Sequence, residues 1–208
     1  MPSSPPTPRG WSSRGYLPHF DGGPLPQAVT YRLAHTLPPE VVTRMRDTLP
    51  LLPLGRQAAK LRQTIEDQLD HCRTGWLANA VIAAQVQENL LYFDGDRYRL
   101  HAWVVMPNHV HVLITPSPRA SMARIVHGWK TYTARRANQA LGRAGRFWQP
   151  DYFDRYVRDA RHFLAVVRYI EANPVRAGLC RRTEDWPWSS AALRAAAGNE
   201  ASEAPGRR

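Results

Sequence analysis

Two cysteines in 208 residues, Cys72 and Cys180, are too few for a disulfide framework or a four-cysteine zinc site, and a reducing compartment suits such a chain. Apolar runs are short as well. A stretch such as residues 79–86, "NAVIAAQV", falls far short of the roughly 20 residues that cross a bilayer, and the opening "MPSSPPTPRGWSSRG" has no apolar segment of signal-peptide type. The expectation is a soluble, cytoplasmic protein with no membrane partner. His-Glu-x-x-His is absent, which removes the common helical zinc-protease site. None of the eight histidines opens a His-x-Thr or His-x-Ser triplet, which removes a two-histidine phosphoesterase. Acidic residues are scarce too: 17 Asp and Glu face 28 Lys and Arg, for a net charge of +11. That excess favours a polyanionic partner, although charge alone also fits an ordinary basic protein.

What is present is unevenly spread. Residues 1–26 are rich in Pro, Ser and Gly, carry Arg9 and Arg14, and read as a flexible basic arm that cannot bury enough surface to fold alone. "QAVTYRLAHTL" alternates apolar and polar residues as a first strand does. "PEVVTRMRDTL", "RQAAKLRQTIEDQLDHC" and "WLANAVIAAQVQENLLYF" have helical spacing and define a helical insertion over about 38–95. Its role is either to cover the sheet or, through Arg56, Lys60 and Arg62, to extend a DNA-binding surface. "DGDRYRLHAWVVMP" and "HVHVLITP" read as two antiparallel strands joined at Pro107 and Asn108. A basic helix from Ser121 to about Leu141 carries Arg124 and Lys130. Asp159 is placed to cap a last helix that Pro174 stops after Asn173. Beyond residue 190 a disordered tail, 191–208, is expected, leaving 27–190 as the folded unit.

On a strand, His109 and His111 project from one face, a geometry in which two imidazoles can share a metal and leave positions for water or phosphate. Two strand histidines can equally be ordinary core residues. In the last helix, Phe163, Val166, Val167 and Ile170 form an apolar stripe, and Tyr169 and Asn173 fall together on a neighbouring face, one turn apart. A phenol there can attack phosphorus and an amide oxygen can join a metal. A tyrosine at the core margin followed by a helix-terminal asparagine fits the same spacing. Tyr152 and Tyr156 are rival nucleophiles that lack such a polar partner, and Trp148 is expected to pack beneath the sheet.

Four segments in order, "HAWVVMPNHVHVLITP", "GRFWQPDYFDRYVRD", "VRYIEANPVRAGL" and "EDWPWSS", resemble the signatures of REP-associated tyrosine transposases, relatives of the single-tyrosine HUH transposases of small insertion sequences. The resemblance covers roughly residues 96–190. It implies an α+β fold, ferredoxin-like or RRM-like, with helices packed on an antiparallel sheet and the HUH motif on a central strand. It also implies His109, His111 and Asn173 as metal ligands for Mg²⁺ or Mn²⁺, and Tyr169 as the nucleophile. Single-stranded or hairpin DNA at repeated extragenic palindromes is the implied partner, with no small-molecule substrate, in a bacterial, nucleoid-associated protein. The reaction implied is metal-dependent cleavage and strand transfer through a 5′-phosphotyrosine. Arg14, Arg124, Lys130 and Arg168 are the candidate DNA contacts. A monomer is expected, with a dimer as the alternative. Two other functions fit the same chain: a domesticated, non-catalytic nucleic-acid binder, and a metallonuclease that uses water.

Overall fold

The computed structural model describes residues 10–13, 18–34, 36–37, 43, 60, 63–65, 67–70 and 73–203. Apart from Thr43, which is helical, the segment "PEVVTRMRDTL" lies outside the described residues, as do Arg14, Arg56 and Arg62. Four strands form the main sheet: β3 (Gln27–Arg32), β4 (Tyr98–Val105), β5 (His109–Pro116) and β6 (Phe153–Tyr156). They run antiparallel in the order β4-β5-β3-β6, so that β5 lies inside the sheet, as expected. Helix α1 (Ala80–Tyr92) follows β3, and helix α2 (Met122–Ala140) follows β5. The strand order and these two crossovers make a ferredoxin-like α+β unit.

Alternation along β5 divides the interior into two cores. Val110, Val112 and Ile114 join Val29 and Tyr31 of β3 on one face. There they meet Ile82, Val86 and Leu90 of α1, and Met122, Ile125, Val126 and Trp129 of α2. The spacing of the α2 residues is that of a helix with one apolar stripe, and its start is capped by Ser121, whose hydroxyl accepts from Arg124 N. The opposite face carries His109, His111 and Leu113, and is covered by α3 (Ala160–Arg176) through Phe163, Val166, Val167 and Ile170. Asp159 caps α3 by accepting from His162 N at 2.7 Å.

Three sequence expectations are corrected. Helix α3 does not stop after Asn173. Pro174 removes only its own N–H, while Ala177 N still bonds Asn173 O at 2.9 Å, so the helix gains a further turn ending at Arg176. The tail is not disordered from 191: α4 (Ser190–Glu203) forms, favoured by its alanines. Its start is anchored by the Ser190 hydroxyl, which donates to Glu171 at 2.5 Å, and by an ion pair between Arg194 and Glu171. Nor is the arm wholly loose. Strands β1 (Gly10–Ser13) and β2 (Pro18–Asp21) pair as an antiparallel ribbon. Phe20 N donates to Asp154 Oδ2 at 2.8 Å, and the His19 ring bonds Asp154 at 2.6 Å and Asp151 at 2.8 Å.

The turn that launches β5 is held from several sides. Met106 N bonds His109 O, Leu33 N bonds Asn108 O, and Leu77 N bonds Pro107 O at 3.1 Å. Gly75 passes so close that a Cβ there would lie 2.1 Å from Pro107 O. Gly75→Ala is therefore expected to destabilise the protein by about 2 kcal/mol in urea denaturation, because backbone must shift to admit the methyl group. Burial alone would lower the His19 pKa, but the hydrogen bonds to Asp151 and Asp154 raise it from 6.5 to about 9. The stabilisation from this imidazolium is complete below pH 6.5 and is lost as the pH rises through 9. Denaturation at pH 6, 8 and 10 should show wild type losing its advantage over His19→Gln across that interval.

Candidate active site

Register places His111 opposite Thr30 and His109 opposite Arg32, with both imidazoles almost fully buried. The turn before them sets their protonation. Asn108 Nδ2 donates to Leu69 O at 3.1 Å, which leaves Asn108 Oδ1 facing His109 Nδ1 at 2.6 Å. An amide oxygen only accepts, so His109 carries its proton on Nδ1 and turns a lone pair on Nε2 inward. That lone pair faces His111 Nε2 at 3.0 Å. His111 Nδ1 contacts Thr30 Oγ1 at 2.7 Å, and a hydroxyl can donate or accept, so His111 can adopt either tautomer. Burial, reinforced by the neighbouring His111, holds the His109 pKa well below 6.5. Burial and then the Arg176 charge bring His111 down to about 3. Both rings are therefore neutral at pH 7, the state in which imidazole binds metals.

A third ligating group stands beside them. Asp70, on the helical residues 67–70, places Oδ1 3.7 Å from His109 Nε2, and its Oδ2 lies 3.9 Å from Arg176. Ligand atoms of Asp70, His109 and His111 all lie within 4.8 Å of one another. One turn along α3 from Tyr169, Asn173 is fully buried, and neither its Oδ1 nor its Nδ2 has a hydrogen-bond partner. Such an amide costs about 1–3 kcal/mol unless something bonds it. Two neutral imidazoles and a carboxylate are a donor set that suits a divalent cation.

Tyr169 meets this group from the covering helix: its ring centroid lies 5.6 Å from that of His111, at 78°. The Arg176 guanidinium lies 5.0 Å from the Tyr169 ring centroid. A pocket of about 270 Å³ opens beside the pair, between α3, β3 and β6, and is bordered by Thr30, His111, Arg155, His162 and Tyr169. The rival tyrosines are occupied at the sheet's other edge, where Tyr152 stacks on His19 at 4.2 Å and Tyr156 packs on Phe20 at 5.0 Å. Trp148 is buried, as expected, and donates to Thr133.

The basic candidates are dispersed. Arg168 is exposed on α3, in the same layer as Tyr169, whereas Arg124 is exposed on α2, behind the sheet. Lys130, also on α2, donates to Pro150 O at 2.6 Å, and burial lowers its pKa to about 8. Sequence spacing does not single out Asp70 or Arg176. Asp70 is one of several acids in "EDQLDHC" and nothing local marks it, while Arg176 falls beyond Pro174, where the sequence pattern ends the helix. Asn108 carried a signal, since it directly precedes the histidine pair.

Residues 76–173 match the family model described as "Transposase IS200 like". A REP-associated tyrosine transposase from Escherichia coli (strain K12) is 28% identical over 97 residues, which make up 45% of this chain. The match spans about half of that relative, 54% of its length. A solved REP-associated tyrosine transposase, bound to a REP hairpin, shares the fold with a TM-score of 0.56 and 19% identity, covering 90% of this chain and 86% of that one. Among the described residues no helix is long and apolar enough to cross a membrane. The chain is thus similar to REP-associated tyrosine transposases, and the segment that matches the IS200-like model, residues 76–173, contains His109, His111, Tyr169 and Asn173.

Proposed function

We propose that this protein cleaves and rejoins single-stranded DNA beside a hairpin, with Tyr169 as the nucleophile. The observation that carries the reading is the contact of Tyr169, on α3, with His111, on the facing strand. A phenol set against two neutral imidazoles on an open pocket suits attack on a phosphodiester better than it suits packing. His109, His111 and Asn173 would hold Mg²⁺ or Mn²⁺. When bound, such an ion supplies Lewis-acid polarisation of the phosphate and neutralises charge in the transition state.

The residues of the chain do the rest. Tyr169 loses its proton to solvent and its oxygen bonds phosphorus as the P–O3′ bond breaks. A 5′-phosphotyrosine and a 3′-oxygen that takes up a proton are the products. Phosphodiester energy is retained in the tyrosyl ester, so a 3′-hydroxyl of another strand reverses the step and joins new ends without ATP. Asn108 and Thr30 hold the two imidazoles in place. Arg168, exposed beside the nucleophile, is the basic candidate best placed to meet the phosphate backbone on that side. The hairpin-bound structural relative supports a hairpin as the docking element.

Incubation with hairpin-bearing single-stranded DNA and Mn²⁺, followed by denaturing electrophoresis, tests the reading. A covalent protein–DNA adduct is expected from wild type and none from Tyr169→Phe. Cleavage that survives Tyr169→Phe indicates a water-using nuclease, and binding without cleavage indicates a non-catalytic relative; either result refutes the proposal. Thr30→Val removes the partner of His111 Nδ1, and is expected to weaken Mn²⁺ binding by roughly tenfold in a calorimetric titration while leaving the fold intact.

A further inference from the structure

We infer that Asp70 is an anionic ligand of the metal site, supplied by the helical segment that precedes Gly75, so that this part of the insertion belongs to the active site rather than only covering the sheet. The inference rests on the metal reading of His109 and His111. Geometry supports it. Adjacent donors on one octahedral ion, each about 2.1 Å from the metal, stand about 3 Å apart. The two histidine nitrogens are 3.0 Å apart, and Asp70 Oδ1 is 3.7 Å from His109 Nε2. All three donors lie within 4.8 Å of one another, so that a small side-chain adjustment lets them share an ion.

Charge supplies the second reason. Two neutral imidazoles and an amide bring no negative charge to a buried dication, and burying uncompensated charge is costly. Asp70 contributes one unit where it is needed. The neighbouring acids serve elsewhere: Asp151 and Asp154 bond His19, and Glu171 bonds Ser190 and Arg194. Arg176 does not explain Asp70 by itself. A 3.9 Å pair to a half-exposed guanidinium is worth little. By facing Oδ2 it leaves Oδ1 turned toward the histidines.

The backbone is also fixed for this task. Leu69, next to Asp70, is buried and offers its carbonyl to Asn108, the residue that sets the His109 tautomer. One amide thus registers the carboxylate and the imidazole against each other. A hard carboxylate oxygen would bias the site toward Mg²⁺ or Mn²⁺ over softer ions that two imidazoles alone would accept.

Mn²⁺ binding to the full chain without DNA, followed by electron paramagnetic resonance, separates the possibilities. Asp70→Asn is expected to bind Mn²⁺ at least tenfold more weakly than wild type. Asp67→Asn, which removes the same charge from an exposed position one turn away, should stay within twofold. Equal affinity of Asp70→Asn and wild type overturns the assignment of Asp70 and leaves the histidine site standing. Failure of wild type to bind Mn²⁺ at millimolar concentration overturns the metal reading and this inference together. Should Asp70→Asn not fold by circular dichroism, Asp70→Glu keeps the charge and moves the oxygen. Its Co²⁺ absorption bands must then differ from those of wild type, and identical bands overturn the inference.

Discussion

The side chain of Asn108 makes two hydrogen bonds on which the whole site depends. Its nitrogen holds the Leu69 carbonyl and its oxygen holds His109 Nδ1. The first bond joins the helical insertion to the turn between β4 and β5. The second decides which nitrogen of His109 is left with a lone pair. Because the amide is fully buried, neither bond competes with water, and leaving either partner unpaired would cost the desolvation of a polar group. A structural element and a protonation state are therefore fixed by one residue. Gly75 serves the same turn from outside, by having no side chain where Pro107 O must pass.

The second constraint is alternation. A strand buried on both faces would ordinarily be apolar throughout, yet β5 spends two inward positions on histidine. Those rings are kept from water by α3, the helix that also brings Tyr169. The same layer thus desolvates the imidazoles and delivers the phenol. Burial favours their neutral form, so the lone pairs stay available across the ordinary pH range.

Much of this was legible in the sequence where the relevant spacing is local. His109 and His111 two apart on a strand, the apolar stripe of α3 and the Asp159 cap are all short-range patterns, and each appears in the structure where the pattern placed it. What could not be read depends on residues far apart in the chain. Asp70 reaches the site across 39 residues, His19 meets Asp154 across 135, and α4 is anchored through Glu171, 19 positions before Ser190. The composition of residues 1–26 reads as a flexible arm, and cannot report that β2 borrows partners from β6. Pro174 misled for a different reason: a proline forbids one hydrogen bond, and the N–H groups after it were still free to continue the helix.

Glu171, two residues after Tyr169, ties α3 to α4 through Ser190 and Arg194, and Trp186 between them bonds the Val105 carbonyl of β4. The helix that carries Tyr169 is thereby buttoned to its own sheet through α4 and Trp186. The helix that bears Tyr169 and the sheet that bears the histidines are thus joined at a second place besides their shared core.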